Sequence, residues 1–232
     1  MISEHIVSLG IELEGGMKPN TRSIIETKFS KWGLNLNVTE SGDSSVHRSS
    51  GWPAALVTTE LKFFGEKLID IKHFLEWSYK YGDVRTNSSC GMHVHVLFTN
   101  HSYTLFALAR QPVMRDFHNK YREHFKDNQK YLGRLSNRFC KENNLSTGRL
   151  VQSMVQSNYE RYYSINFAST KKHSVSNTEQ GRAIRPPGTL EIRVLPGQDT
   201  AKEAYSSVLW LVEALEDIIR TYVNYRVWIK IF

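Results

Sequence analysis

Two cysteines in 232 residues leave no room for a disulfide framework, and a chain of this length buries enough core to fold without one. Cys90 and Cys140 match neither a zinc nor a redox spacing, which points to a reducing compartment. No apolar run is long enough to cross a bilayer. The start, Met1-Ile2-Ser3-Glu4-His5, lacks a signal-peptide pattern, so the expected location is the cytoplasm and no membrane partner is expected. The Asn-x-Ser sequons at Asn87, Asn100 and Asn144 are then coincidental. Walker-type and Rossmann glycine patterns are missing as well, so any nucleotide would have to be held through a metal. Neither internal repeats nor low-complexity segments occur.

What is present is an ordinary globular composition, 40% hydrophobic and 23% charged, with a formal net charge of +7. A basic balance favours polyanions, nucleotides or acidic substrates without deciding the fold. Its densest stretch, Arg110 to Arg138, interleaves Lys and Arg with Tyr, Phe and His. That pattern fits a nucleic-acid surface, and it fits a solvated helix face with snorkelling stems better.

Hydrophobic periodicity and punctuation give the element order. An apolar strand from His5 to Glu14 ends at a turn, Gly15-Gly16. A helix containing Ile24, Ile25, Phe29 and Trp32 follows, capped by Asn20 or Thr21 and stopped by Gly33. Strands are expected over Leu34–Thr39 and around Ala54–Phe63, then an amphipathic helix from Glu66 to Tyr81. Met92–Phe98 is the clearest strand. A mainly helical stretch, about 101–156, is broken near Pro112 and Gly133. Strands over Tyr162–Ala168 and Thr189–Leu195 flank a polar loop, and Asp199 or Thr200 caps a last helix running to about Arg220. The expectation is one α+β domain, 1–232, with a helical insertion at about 101–156.

Three of these strands repeat one device. Residues two apart share a face of a strand, so Glu12 and Glu14 share one face while Ile11 and Leu13 share the other. His93 and His95 are separated in the same way from Met92, Val94 and Val96, and Glu191 and Arg193 from Leu190, Ile192 and Val194. In one sheet, the apolar side would pack on helices and the opposite side would collect three Glu, two His and one Arg. Carboxylates with an imidazole favour a hard divalent ion over a structural zinc, for which thiolates would be expected. Such an ion needs few protein ligands when phosphates supply the rest, and an Arg can neutralise a transferring phosphoryl group. A metal-dependent amide hydrolase would use the same face without a nucleotide, and a basic nucleic-acid-binding module would leave it idle.

Gly-Met-His-Val-His at Gly91 to His95 resembles the Gly-Met-His-x-His signature of glutamine synthetases, and Leu190 to Pro196 resembles their Glu-x-Arg strand. The chain is more similar still to the amidoligase family of the carboxylate-amine ligase superfamily. The residues carrying that likeness are Gly10 to Glu14, Asp43-Ser44-Ser45, Glu60-Leu61, Cys90 to His95, Arg161-Tyr162-Tyr163 and Glu191 to Arg193, spread over about residues 7 to 220. The resemblance implies a curved, largely antiparallel glutamine synthetase-like sheet with helices on its outer face. It also implies an ATP-dependent ligase that joins a small-molecule or peptide carboxylate to an amine through an acyl phosphate, with Mg²⁺ or Mn²⁺.

Carried over position by position, Glu12, His93 and Glu191 would hold one metal, and Glu14 and Glu60 a second. Arg193 would contact phosphate, with Arg161 as a second candidate. His95 would orient the substrate carboxylate or accept a hydrogen bond from His93. Glutamine synthetases carry two further Glu on their third metal strand. Here that strand has Glu60 alone, with Lys62 two residues on, so the second metal would be weaker or partly replaced by that ammonium. Arg182 and Arg185, in the loop from Lys171 to Gly188, could reach phosphate or a second carboxylate from a lid. Cys90 reads as a small strand residue rather than a nucleophile, and Asp43 as part of an Asx-type turn.

Overall fold

The structure, a computed structural model, describes all residues except 34–37, 43–44, 139, 156–161, 168–187 and 224–232. Among the described residues six strands, β1 (Ile6–Met17), β2 (Val38–Ser41), β3 (Val57–Gly65), β4 (Gly91–Phe98), β5 (Ile165–Asn166) and β6 (Leu190–Pro196), form one open sheet in the order β2-β3-β1-β4-β6-β5. Its described ladders, β1 with β3, β2 with β3 and β5 with β6, are antiparallel. The helices are α1 (Thr21–Lys31), α2 (Leu68–Gly82), α3 (His101–Leu108), α4 (Gln111–His124), α5 (Gln129–Arg134), α6 (Thr147–Val155) and α7 (Ala201–Tyr222). This is the α+β class, with an antiparallel sheet and packed helices, expected from the sequence. Among the described residues no helix is long and apolar enough to cross a membrane.

Contacts along the chain resolve into two units. The first comprises Met1–Ile2, Ser8–His95 and Arg193–Leu211; the second comprises Ser3–Val7, Val96–Ile192 and Val212–Phe232.

In the first unit the β1–β3 register sets Ile11 opposite Phe63 and Leu13 opposite Leu61. These residues, with Leu9, Met92 and Val94, are buried on the face that α1 and α2 cover. Phe63 stacks on Phe29 at 5.0 Å and on Phe74 at 4.9 Å, and Trp77 closes the cluster edge-on to Phe29. Burying rings of this size contributes on the order of 2 kcal/mol or more each, which fixes the apolar face of the sheet and so the polar one.

The expected turn at Gly15-Gly16 is a correction. Both glycines continue β1, opposite Thr59 and Thr58 of β3, and Gly16 exchanges two backbone hydrogen bonds of 2.9 Å with Arg85 on its other edge. A Cβ on Gly15 would stand 2.7 Å from the Arg85 carbonyl oxygen, so the glycine is there for close backbone approach rather than for reversal. Helix α7 starts as expected: Thr200 Oγ1 accepts from Glu203 N at 3.1 Å, and the Glu203 carboxylate accepts from Asp199 N at 3.2 Å. Helix α1 differs. Asn20 holds the cap position in a left-handed conformation, φ 69°, without a side-chain cap bond.

In the second unit α4 turns Val113, Met114, Phe117, His118 and Tyr121 inward. Tyr121 donates to the Tyr131 carbonyl at 2.9 Å, and Tyr131 stacks on Phe125. The aromatics Phe117, Tyr121 and Tyr131 of the basic stretch are thus core, and Arg134 is buried with them. The strand expected over Tyr162–Ala168 is reduced to Ile165–Asn166 within the described residues. Before it, the Asn143 side chain substitutes for a strand partner: Oδ1 accepts from Ile165 N and Ser164 Oγ, and Nδ2 donates to the Ile165 carbonyl.

Candidate metal and phosphate site

On the polar face of the first unit, the β1–β3 register places Glu12 opposite Lys62 and Glu14 opposite Glu60. Strand β4 adds His93 and His95. Glu12 is the hub. Its Oε2 lies 3.1 Å from His93 Nδ1, and its Oε1 lies 2.9 Å from both His95 Nε2 and Lys62 Nζ. His93, 1% exposed, has its other nitrogen 3.4 Å from Glu14 Oε1. Glu14 Oε2 in turn accepts the backbone N–H of Gly91 at 2.6 Å, which ties the first residue of β4 to β1. Glu60 pairs with Lys62 at 2.6 Å and accepts from Ser41 Oγ of β2 at 3.1 Å.

Burial acts on Glu12 to raise its pKa, but the hydrogen bonds and charge of His93 and His95 reverse that effect and hold it well below the usual carboxylate range. Burial raises Glu60, and the Glu12 charge adds to the rise against the opposing bond from Lys62. Lys62 moves upward: burial favours its neutral form, yet the charge of Glu12 and the bonds from both carboxylates outweigh it. Glu12 is therefore held ionised by its imidazole and ammonium partners, whereas Glu60 takes up a proton more readily than an ordinary carboxylate. Ligand atoms of Glu12, Glu60 and His93 lie within 4.8 Å of one another, close enough to share one ion. Oxygen donors with one imidazole suit Mg²⁺ or Mn²⁺.

Two rings frame this face. Gly10 and Gly16 have the parity of Glu12 and Glu14 and stand at either end of them. A Cβ on Gly10 would lie 2.4 Å from the Phe64 ring, and one on Gly16 would lie 2.5 Å from the Trp52 ring. Phe64 is exposed, opposite Gly10 in the register, with its centroid 6.1 Å from that of His95. Trp52 belongs to a loop held by the Arg48 guanidinium, which donates to the carbonyls of Trp52, Pro53 and Leu56. The parity of Gly-x-Glu-x-Glu-x-Gly was a readable signal for this frame; which rings fill it was not.

Among the other predicted residues, Arg193 lies half-buried on β6 in the first unit. Glu191, also on β6, is described in the second unit. There it is buried and accepts from Asn166 Nδ2 of β5 at 2.6 Å, a partner that sequence reasoning missed. Arg161, Arg182, Arg185 and Asp43 lie outside the described residues. Cys90 and Cys140 are buried and not joined in a disulfide. Cys90 Sγ donates to Asn87 Oδ1 at 3.4 Å, in keeping with a small structural residue.

No protein-family model matches the chain, and no curated protein or solved structure was found to be similar to it.

Proposed function

We propose that the protein is an ATP-dependent carboxylate-amine ligase requiring Mg²⁺ or Mn²⁺. The observation that carries this reading is the convergence of Glu12, Glu60 and His93 on one polar sheet face, in a strand pattern that resembles that of amidoligases. The donor set fits a hard divalent ion, with Glu12 and His93 as its core ligands and Glu191 as the ligand added by the family likeness. Glu14 and Glu60 complete the acidic surround. Held by these residues, the ion would offset the negative charge of the ATP phosphates.

In the reaction, a substrate carboxylate oxygen attacks the γ-phosphorus, and the bond to the β,γ-bridging oxygen breaks to release ADP. The amine nitrogen then attacks the acyl carbon; phosphate departs and the nitrogen loses a proton. Arg193 would meet the transferring phosphoryl with its planar fork, and Arg161 is a second candidate for that role. His95, anchored on Glu12, would orient the carboxylate. Arg182 and Arg185 would contact phosphate or a second carboxylate. The protein's part is to align the reactants and keep water from the acyl phosphate. Two buried thiols and the absence of a disulfide support a cytoplasmic setting.

Calorimetry with Mg²⁺ and ATP, followed by a screen of amino acids and polyamines for phosphate release, tests this reading. Release that needs both a carboxylate and an amine supports it. No ATP binding in either metal, or amide hydrolysis without nucleotide, would overturn it.

A further inference from the structure

Lys62 stands across from Glu12 in the β1–β3 register and two residues beyond Glu60 on the same face. Its ammonium bonds both carboxylates, at 2.9 Å to Glu12 Oε1 and 2.6 Å to Glu60 Oε1. These two belong, with His93, to one cluster whose ligand atoms lie close enough to share an ion. An ion placed between Glu12 and Glu60 would have to displace a cation already there.

We propose that Lys62 is a resident cation of the site, filling the position between Glu12 and Glu60, so that the chain binds one divalent ion beside it rather than two. The inference rests on the ligase reading and specifies its metal count. Geometry supports it. Lys62 and His95 engage Glu12 Oε1, whereas Glu12 Oε2 faces His93 and, beyond its ring, Glu14 Oε1. One oxygen of the Glu12 carboxylate is thus committed to Lys62 and His95, and the other faces the His93 imidazole. An ammonium tethered to a strand is also present at every metal concentration. Lys62 would therefore keep Glu60 and Glu12 from repelling one another before substrate arrives, and would leave the single ion to carry the phosphates.

The test counts ions on the full chain. Mn²⁺ is titrated calorimetrically, with free Mn²⁺ followed by electron paramagnetic resonance, on the wild type, Lys62→Met and Lys62→Arg. Thermal melts confirm that each variant is folded. One Mn²⁺ per chain in the wild type and Lys62→Arg, rising to two in Lys62→Met, is the expected result. Two ions in the wild type overturn the proposal, and so does a single ion in Lys62→Met. Mg-ATP binding measured on the same samples separates the two levels. Two ions with ATP bound leave the ligase reading standing and remove only the role of Lys62. Absence of metal and of ATP binding removes both.

Discussion

Glu12 Oε2 and His93 Nδ1 lie 3.1 Å apart between adjacent strands of the sheet, and each also has a second partner of opposite character, Lys62 for Glu12 and Glu14 for His93. Glu12 and His93 are thus the two residues that the proposed ion would engage most directly.

Glu12→Gln and His93→Ala should therefore abolish Mn²⁺ binding and phosphate release while the circular dichroism spectrum stays native. Both side chains sit on the polar face, opposite the Phe29–Phe63–Phe74 stack that supplies the core. Undiminished Mn²⁺ affinity in Glu12→Gln would remove the metal assignment.

Arg193→Lys should lose most activity at nearly unchanged Mn²⁺ affinity, because a point charge cannot reproduce the planar fork on phosphate. Wild-type kcat in this variant would take Arg193 out of phosphoryl contact.

Two glycines on the same strand should respond differently to alanine. At Gly15 the new methyl would meet a backbone oxygen that is itself held in a bridge, so Gly15→Ala should cost about 1–3 kcal/mol in urea unfolding. At Gly10 it would meet the Phe64 ring, which is exposed and can swing away. Gly10→Ala should leave stability within ~0.5 kcal/mol of wild type while altering the frame beside His95. Equal losses at the two positions would contradict this account.

His118 of the second unit predicts a pH dependence. It is fully buried, with Nε2 2.7 Å from Ser164 Oγ and Nδ1 3.7 Å from Glu142, which also pairs with Arg122. Burial pushes its pKa down to about 4 from 6.5, with the Glu142 charge opposing and the Arg122 charge assisting. Between those values the unfolded chain binds the proton and the folded chain does not, so stability falls as pH falls from 6.5 toward 4. The loss is on the order of 3 kcal/mol across that window. Chemical unfolding at a series of pH values should show it, and His118→Gln should flatten the slope there.

Thr200→Ala should remove the bond to Glu203 N at the start of α7 and destabilise by ~1 kcal/mol in the same assay.

The sequence by itself determined which residues can share a face. Strand parity is a local property, and it correctly separated Glu12 and Glu14 from Ile11 and Leu13, and His93 and His95 from Met92 and Val94. Helix α2 and the capped start of α7 were legible for the same reason, since caps and periodicity act within a few residues. Strand order and register were decided only by tertiary structure, because they depend on pairing between segments far apart in the chain. Placing β3 and β4 on either side of β1 sets Lys62 opposite Glu12 and brings His93 against the same carboxylate. It keeps Gly15-Gly16 in the sheet, where local propensity alone favours a turn. It also gives Glu191 a partner in Asn166, from a strand too short for periodicity to define. Residue types specify what chemistry a face can hold, and the long-range ladder decides which of those groups touch.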